Sequence, residues 1–126
     1  MAGTEEITLY DSQGNAVVYI ADDESTISTW SGKPVAYLDD GSDNEPNVYG
    51  FNGKHLGWFL KGIVRGHDGN AVVGVKPPGF SKFKPFKGFK QFKPFKAFKQ
   101  FAPFRPFLTN NWSSIPWEEF WLDGGN

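Results

Sequence analysis

The chain is expected to be all-β: four repeated β-hairpins forming a pseudo-symmetric flower or barrel-like unit, followed by an extended segment of polyproline-II type. Three observations lead there. A glycine-led motif occurs four times in residues 1–76, as GNAVVYI from Gly14, GKPVAYL from Gly32, GKHLGWF from Gly53 and GNAVVGV from Gly69. Ten phenylalanines then fall at every third position, Phe80, Phe83, Phe86, Phe89, Phe92, Phe95, Phe98, Phe101, Phe104 and Phe107. The first part contains no apolar periodicity of helical length, whereas its short apolar runs are bounded by turn residues.

Each repeat begins at a turn that ends in glycine: Gly14, Gly32, Gly53 and Gly69, spaced by 18, 21 and 16 residues. Asn52-Gly53 and Asp68-Gly69 are strong hairpin signals of the kind that favours type I′ turns, which need positive φ at both central residues. The pattern predicts eight strands, at roughly 7–10, 16–20, 26–30, 34–38, 47–51, 55–59, 62–66 and 71–75. Pro34 stands at a strand start, where a missing N–H does least harm.

Strict alternation places Val17/Tyr19, Val35/Tyr37, Leu56/Trp58 and Val72 on one face of the returning strands. It places Val18/Ile20, Ala36/Leu38, Phe59 and Val73/Val75 on the other. Both faces are apolar, so both need cover. Seventy-six residues cannot easily form two layers, and the second is expected from symmetry mates or from the Phe ribbon.

These hairpins read Y-D-x-x-G-N-x-V-x-Y-I, then S-G-K-P-V-A-Y-L and N-V-Y-G-F-N-G-K-H-L-G-W-F. The series resembles the small bacterial proteins of the four-fold β-flower family over roughly residues 7–76. The resemblance implies four-fold β symmetry and a tail with an apolar residue at every third position. It implies no activity.

A period of three matches neither an α-helix nor a strand. Polyproline II has three residues per turn, and it accepts Pro85, Pro94, Pro103 and Pro106. The FKPFKGFKQ and FKPFKAFKQ copies at 83–91 and 92–100 differ only at Gly88 and Ala97, and FAPFRPFLT at 101–109 is a decayed third copy. Fully extended, the stretch from Phe80 to Phe107 would span about 84 Å, far more than a small domain's width. It must therefore bend over its own domain, pack with other chains, or meet a foreign partner. The expectation is an ordered ribbon whose rings face a protein surface and whose lysines face water or acidic residues.

Charge divides the chain into the same blocks. Residues 1–76 carry eleven Asp and Glu against five Lys and Arg, residues 77–107 carry eight Lys and Arg and no acid, and residues 108–126 add three acids. The acidic domain is the simplest partner of the basic ribbon. Three units follow: a four-hairpin domain (1–76), a Phe/Lys/Pro ribbon (77–108) and a Trp-rich acidic latch (109–126). In the latch, Trp112, Trp117 and Trp121 either close the chain on its own core or dock another protein. Ser114 is expected to cap a short helix starting near Pro116.

No catalytic signature is present, and no cofactor or metal is expected. His55 and His67 read as turn or surface residues, twelve apart and without a zinc-ligand pattern. The loop Asp39-Asp40-Gly41-Ser42-Asp43-Asn44-Glu45 lacks EF-hand spacing, and Asp22-Asp23-Glu24 reads as solvated surface. There is no cysteine. No run of 18 apolar residues exists, so no transmembrane segment is expected. No signal peptide is visible, so the expected location is the cytoplasm, or a particle such as a phage virion.

The functional expectation is a non-enzymatic structural or assembly protein that self-associates as a homo-oligomer through its β domain and Phe ribbon. Its assembly residues are the ten phenylalanines with Trp112, Trp117 and Trp121, and its structural turns are Gly14, Gly32, Gly53 and Gly69. The alternative is a binding module whose aromatic-cationic ribbon grips an anionic polymer or an envelope surface. Nucleic acid is the weaker partner, because the acidic domain repels a phosphate backbone.

Overall fold

A computed structural model describes residues 6–23, 25–39, 46–75, 88, 91–103, 107–109 and 111–125. Eight strands follow in order: β1 (Ile7–Tyr10), β2 (Ala16–Ile20), β3 (Thr26–Thr29), β4 (Pro34–Asp39), β5 (Asn47–Tyr49), β6 (His55–Leu60), β7 (Ile63–Arg65) and β8 (Ala71–Gly74). Every strand pairs antiparallel with its sequence neighbour, and β8 returns to β1 through Tyr10 and Gly74, closing a barrel. Closure leaves no exposed edge.

Four hairpins share one turn. In each, the fourth residue's N–H bonds the first carbonyl: Gly14 to Asp11, Gly32 to Thr29, Gly53 to Gly50 and Gly69 to Gly66. Those first residues donate in return to the carbonyls of Asn15, Lys33, Lys54 and Asn70. The glycines have φ of 83°, 95°, 89° and 82°, while no residue between Ser12 and Asp68 in these turns shares the positive value. They are therefore tight turns closed by one left-handed glycine, not the type I′ turns expected from Asn-Gly and Asp-Gly. The two-residue connection with both φ positive lies instead at Lys61 (51°) and Gly62 (81°), between β6 and β7.

Each glycine turn is followed by a register shift. Leu9 faces Val18 but Tyr10 faces Ala16; Ile27 faces Ala36 but Ser28 faces Pro34; Val48 faces Gly57 but Tyr49 faces His55; Val64 faces Val73 but Arg65 faces Ala71. The extra residues are Val17, Val35, Leu56 and Val72. A bulge re-aims the side chain it leaves unpaired. These four leave the face of Tyr19, Tyr37 and Trp58 and join the core with Leu9, Val18, Ile20, Ile27, Val48, Val64 and Val73. Strict alternation put them on the wrong face because it cannot register an extra residue.

Helix α1 (Trp117–Leu122) belongs to the same core through Trp121, which is 2% exposed, with Trp117 and Phe120 packed alongside. Pro116 occupies its N-cap, and no side chain caps it. The cap expected from Ser114 does not form. Asn52 holds the far end of the segment, its N–H donating to the Gly124 carbonyl and its side-chain amide to that of Asp123. Among the described residues, no helix is long and apolar enough to cross a membrane.

Candidate binding surface

The outward positions of the strands carry Tyr19, Tyr37, Tyr49, His55 and Trp58, each no more than 4% exposed. They pack on one another: Tyr37 stacks on Tyr49, Tyr19 meets Trp30 edge-on, and His55 lies between Tyr49 and Trp58. The second layer demanded by two apolar faces includes the ribbon of the same chain. Among the described residues, that cover is made by ribbon backbone and by lysine and glutamine side chains.

The docking repeats with the sequence. Gly88 N–H donates to the Trp30 carbonyl and Gln91 N–H to that of Gly32, at 2.8 and 2.9 Å. Nine residues later, Ala97 N–H donates to Phe51 and Gln100 N–H to Gly53, both at 2.8 Å. Nine further on, Thr109 N–H donates to Gly69 at 3.2 Å. One nine-residue unit thus serves one hairpin. The donors share a single phase of the period of three, and Pro94 and Pro103 occupy that phase where the chain crosses between hairpins. Proline has no N–H to leave unsatisfied there.

The turn glycines have a second use. A Cβ on Gly53 would collide with the Phe98 carbonyl, and one on Gly69 with that of Phe107. A Cβ on Gly88 would likewise meet the Ser31 carbonyl, which explains the smallest side chain in its copy of the repeat. Gln100 binds three ways, since its Oε1 accepts the His55 N–H and its carbonyl accepts the Tyr49 hydroxyl, at 3.1 and 2.8 Å.

Cations take a second phase and turn to the barrel. Lys93 pairs with Asp23 at 3.2 Å and Lys99 with Asp39 at 2.8 Å, while Lys96 lies 4.2 Å from the Tyr37 ring centre. The partial burial of Asp23 disfavours its charge. That effect is overcome by hydrogen bonds from the Thr26 hydroxyl and N–H, the Ser25 N–H and Lys93, which hold the carboxyl well below its usual range. The Asp39 hydrogen bond raises the pKa of Lys99.

Phenylalanine holds the third phase, and it faces outward. Phe92, Phe95, Phe98 and Phe101 are each 101% exposed and Phe107 is 95% exposed. Within one chain these rings touch no protein surface. Phe80, Phe83, Phe86, Phe89 and Phe104 lie outside the described residues, as do Glu24 and the acidic loop from Asp40 to Glu45. Of the three latch tryptophans, Trp121 is buried, while Trp112 and Trp117 are half-buried.

His55 is not a surface residue: it is 2% exposed. Its Nε2 lies 2.9 Å from Asn47 Oδ1 and its Nδ1 lies 3.0 Å from His67 Nε2. With Asn47 Oδ1 accepting, His55 carries its proton on Nε2 and accepts the His67 N–H on Nδ1. Burial, followed by the neighbouring His67, lowers the His55 pKa to about 4. The two imidazoles are joined by a hydrogen bond. Among the described residues, no group of three or more metal-ligating side chains converges.

These features define a class: a closed barrel of repeated glycine-turn hairpins, belted by its own period-three tail. The chain belongs to the 4-fold beta flower protein family, whose profile matches residues 7–121. That match runs through the ribbon to Trp121, well past the 7–76 span of the hairpins. Searches of curated proteins and of solved structures return no match.

Proposed function

We propose that this is a non-enzymatic assembly protein whose barrel carries a polyproline-II-like ribbon and displays its Phe edge to further copies of the chain. The observation that carries this reading is the full exposure of Phe92, Phe95, Phe98 and Phe101 on a backbone tied down at Gln91, Ala97 and Gln100. Rings of about 150–250 Å² each make a described apolar edge near 1,000 Å². Soluble monomers rarely expose more than a few hundred Å² in one patch.

Spacing supports a second copy as the partner. Three residues of polyproline II advance about 9.3 Å. Two interleaved edges would space rings at about 4.7 Å, within the 4.5–7 Å preferred by aromatic pairs. The rival reading, a grip on an anionic polymer or envelope surface, needs cations free beside the rings. Lys93 and Lys99 are instead engaged by Asp23 and Asp39.

Multi-angle light scattering on the full chain tests the proposal. The wild type should exceed monomer mass at micromolar concentration. Replacing Phe92, Phe95 and Phe98 with Ser should return it to a monomer that keeps the wild-type circular-dichroism spectrum, since these rings make no contact within the chain. A monomeric wild type would sink the reading.

A further inference from the structure

The fourth hairpin departs from the other three at two positions, and a cavity lies beside them. Five residues after each turn glycine stands an outward aromatic, Tyr19, Tyr37 and Trp58, but in the fourth hairpin the position is Gly74. Four residues before the glycine stand Tyr10, Ser28 and Tyr49, and in the fourth hairpin Arg65. Beside these two exceptions lies a cavity of about 240 Å³, whose lining includes Ile63, Arg65, Gly74, Val75, Thr109 and Trp112.

Arg65 is the chemical anomaly. It is 8% exposed, and its Nη1 donates to the carbonyls of Gly69 (2.9 Å) and Thr109. Its buried Nε has no hydrogen-bond partner, and among the described residues no carboxylate pairs with it. A buried guanidinium is ordinarily matched by an anion, because desolvating an uncompensated charge is costly. Lys61, also on the cavity lining, adds a second positive charge. The remaining walls are Ile63, Val75, Ala71 and the half-buried Trp112, which suit a flat apolar body.

We propose that this cavity is a binding site for a small organic carboxylate, its anionic end toward Arg65 and Lys61 and its apolar body against Trp112 and Ile63. The Phe edge plays no part in it. The volume accommodates a ligand the size of an aromatic acid, and the aromatic side chain absent from the fourth hairpin is the shape the ligand replaces.

The test uses the full chain and benzoate as probe, with benzamide as its neutral isostere, read by the amide signals of Ala71 and Thr109 in ¹H–¹⁵N NMR. Benzoate should shift both signals saturably, at least tenfold more tightly than benzamide. Gly74→Tyr restores the ring carried by the other hairpins. A Cβ there meets Ile63 only at 3.4 Å, so the variant should fold, and it should lose benzoate binding. Arg65→Gln, if folded, should bind benzoate no better than benzamide. Absence of saturable shifts, equal response to benzamide, or benzoate binding that survives Gly74→Tyr would each overturn the proposal.

Discussion

The N–H of Gln100 donates to the carbonyl of Gly53 at 2.8 Å, joining the last position of a nine-residue ribbon unit to the glycine that closes a hairpin turn. Gln91 and Gly32 repeat the bond one unit earlier. Two sequence repeats of different length are thereby locked to one pseudo-symmetry.

This bond can be removed selectively. Gln100→Pro deletes the donor and the side-chain oxygen that accepts from His55, so it should cost about 2 kcal/mol or more. Pro94→Ala stands in the same phase, where no barrel carbonyl is engaged, and should change stability by less than about 0.5 kcal/mol. Urea denaturation of the two variants checks the contrast.

Phase can be tested with composition almost intact. Deleting Gln91 should move every later donor one position off its carbonyl and turn Phe rings toward the barrel wall. Lower thermal stability and loss of the Lys99–Asp39 contact, read by zero-length crosslinking, are expected. Unchanged values would mean that the ribbon is a linker.

Trp121 is buried in the same core cluster as Val17, Val35, Leu56 and Val72. Trp121→Ala should cost about 3–5 kcal/mol, as for other large buried aromatics. Trp112→Ala and Trp117→Ala, at half-buried positions, should cost less. Thermal melts followed by circular dichroism rank the three.

Gly53→Ala meets two penalties, a φ of 89° and the Phe98 carbonyl in the path of its Cβ. Backbone strain alone is about 1–3 kcal/mol. The added collision should displace the ribbon locally, so proteolysis between Phe92 and Phe101 should become faster in this variant.

His55 sets an acid limit. Its pKa is about 4 in the fold against 6.5 ordinarily, so the unfolded chain binds more protons between those values. Its contribution is complete above pH 6.5 and should be lost as pH falls through 6.5 toward 4. A melting temperature that declines across this window, and declines less in His55→Gln, is the expected result.

Much of the fold was legible in the residues. Gly14, Gly32, Gly53 and Gly69 announced the hairpins, and the expected strands agree with the observed ones to within two residues, because turn chemistry and alternation are local. The period of three was equally plain, as was the match between an acidic domain and a basic ribbon. His55 was misread, since a histidine beside a turn looks exposed until Gln100 is laid over its strand. The aim of the four bulge residues was also hidden, because an extra residue changes register without changing composition.

The sequence alone therefore determined the number of hairpins, the place of their turns and the three-phase character of the ribbon, all properties of residues within a few positions of one another. Only the tertiary structure decided which phase faces the barrel. Apolar rings were the natural candidates for burial, yet the carbonyls of Trp30, Gly32, Phe51, Gly53 and Gly69 must be met by N–H donors. Backbone and lysine take the inside, and Phe92, Phe95, Phe98 and Phe101 are left outside. Hydrogen-bond satisfaction across residues dozens of positions apart settles that choice, and no local pattern records it.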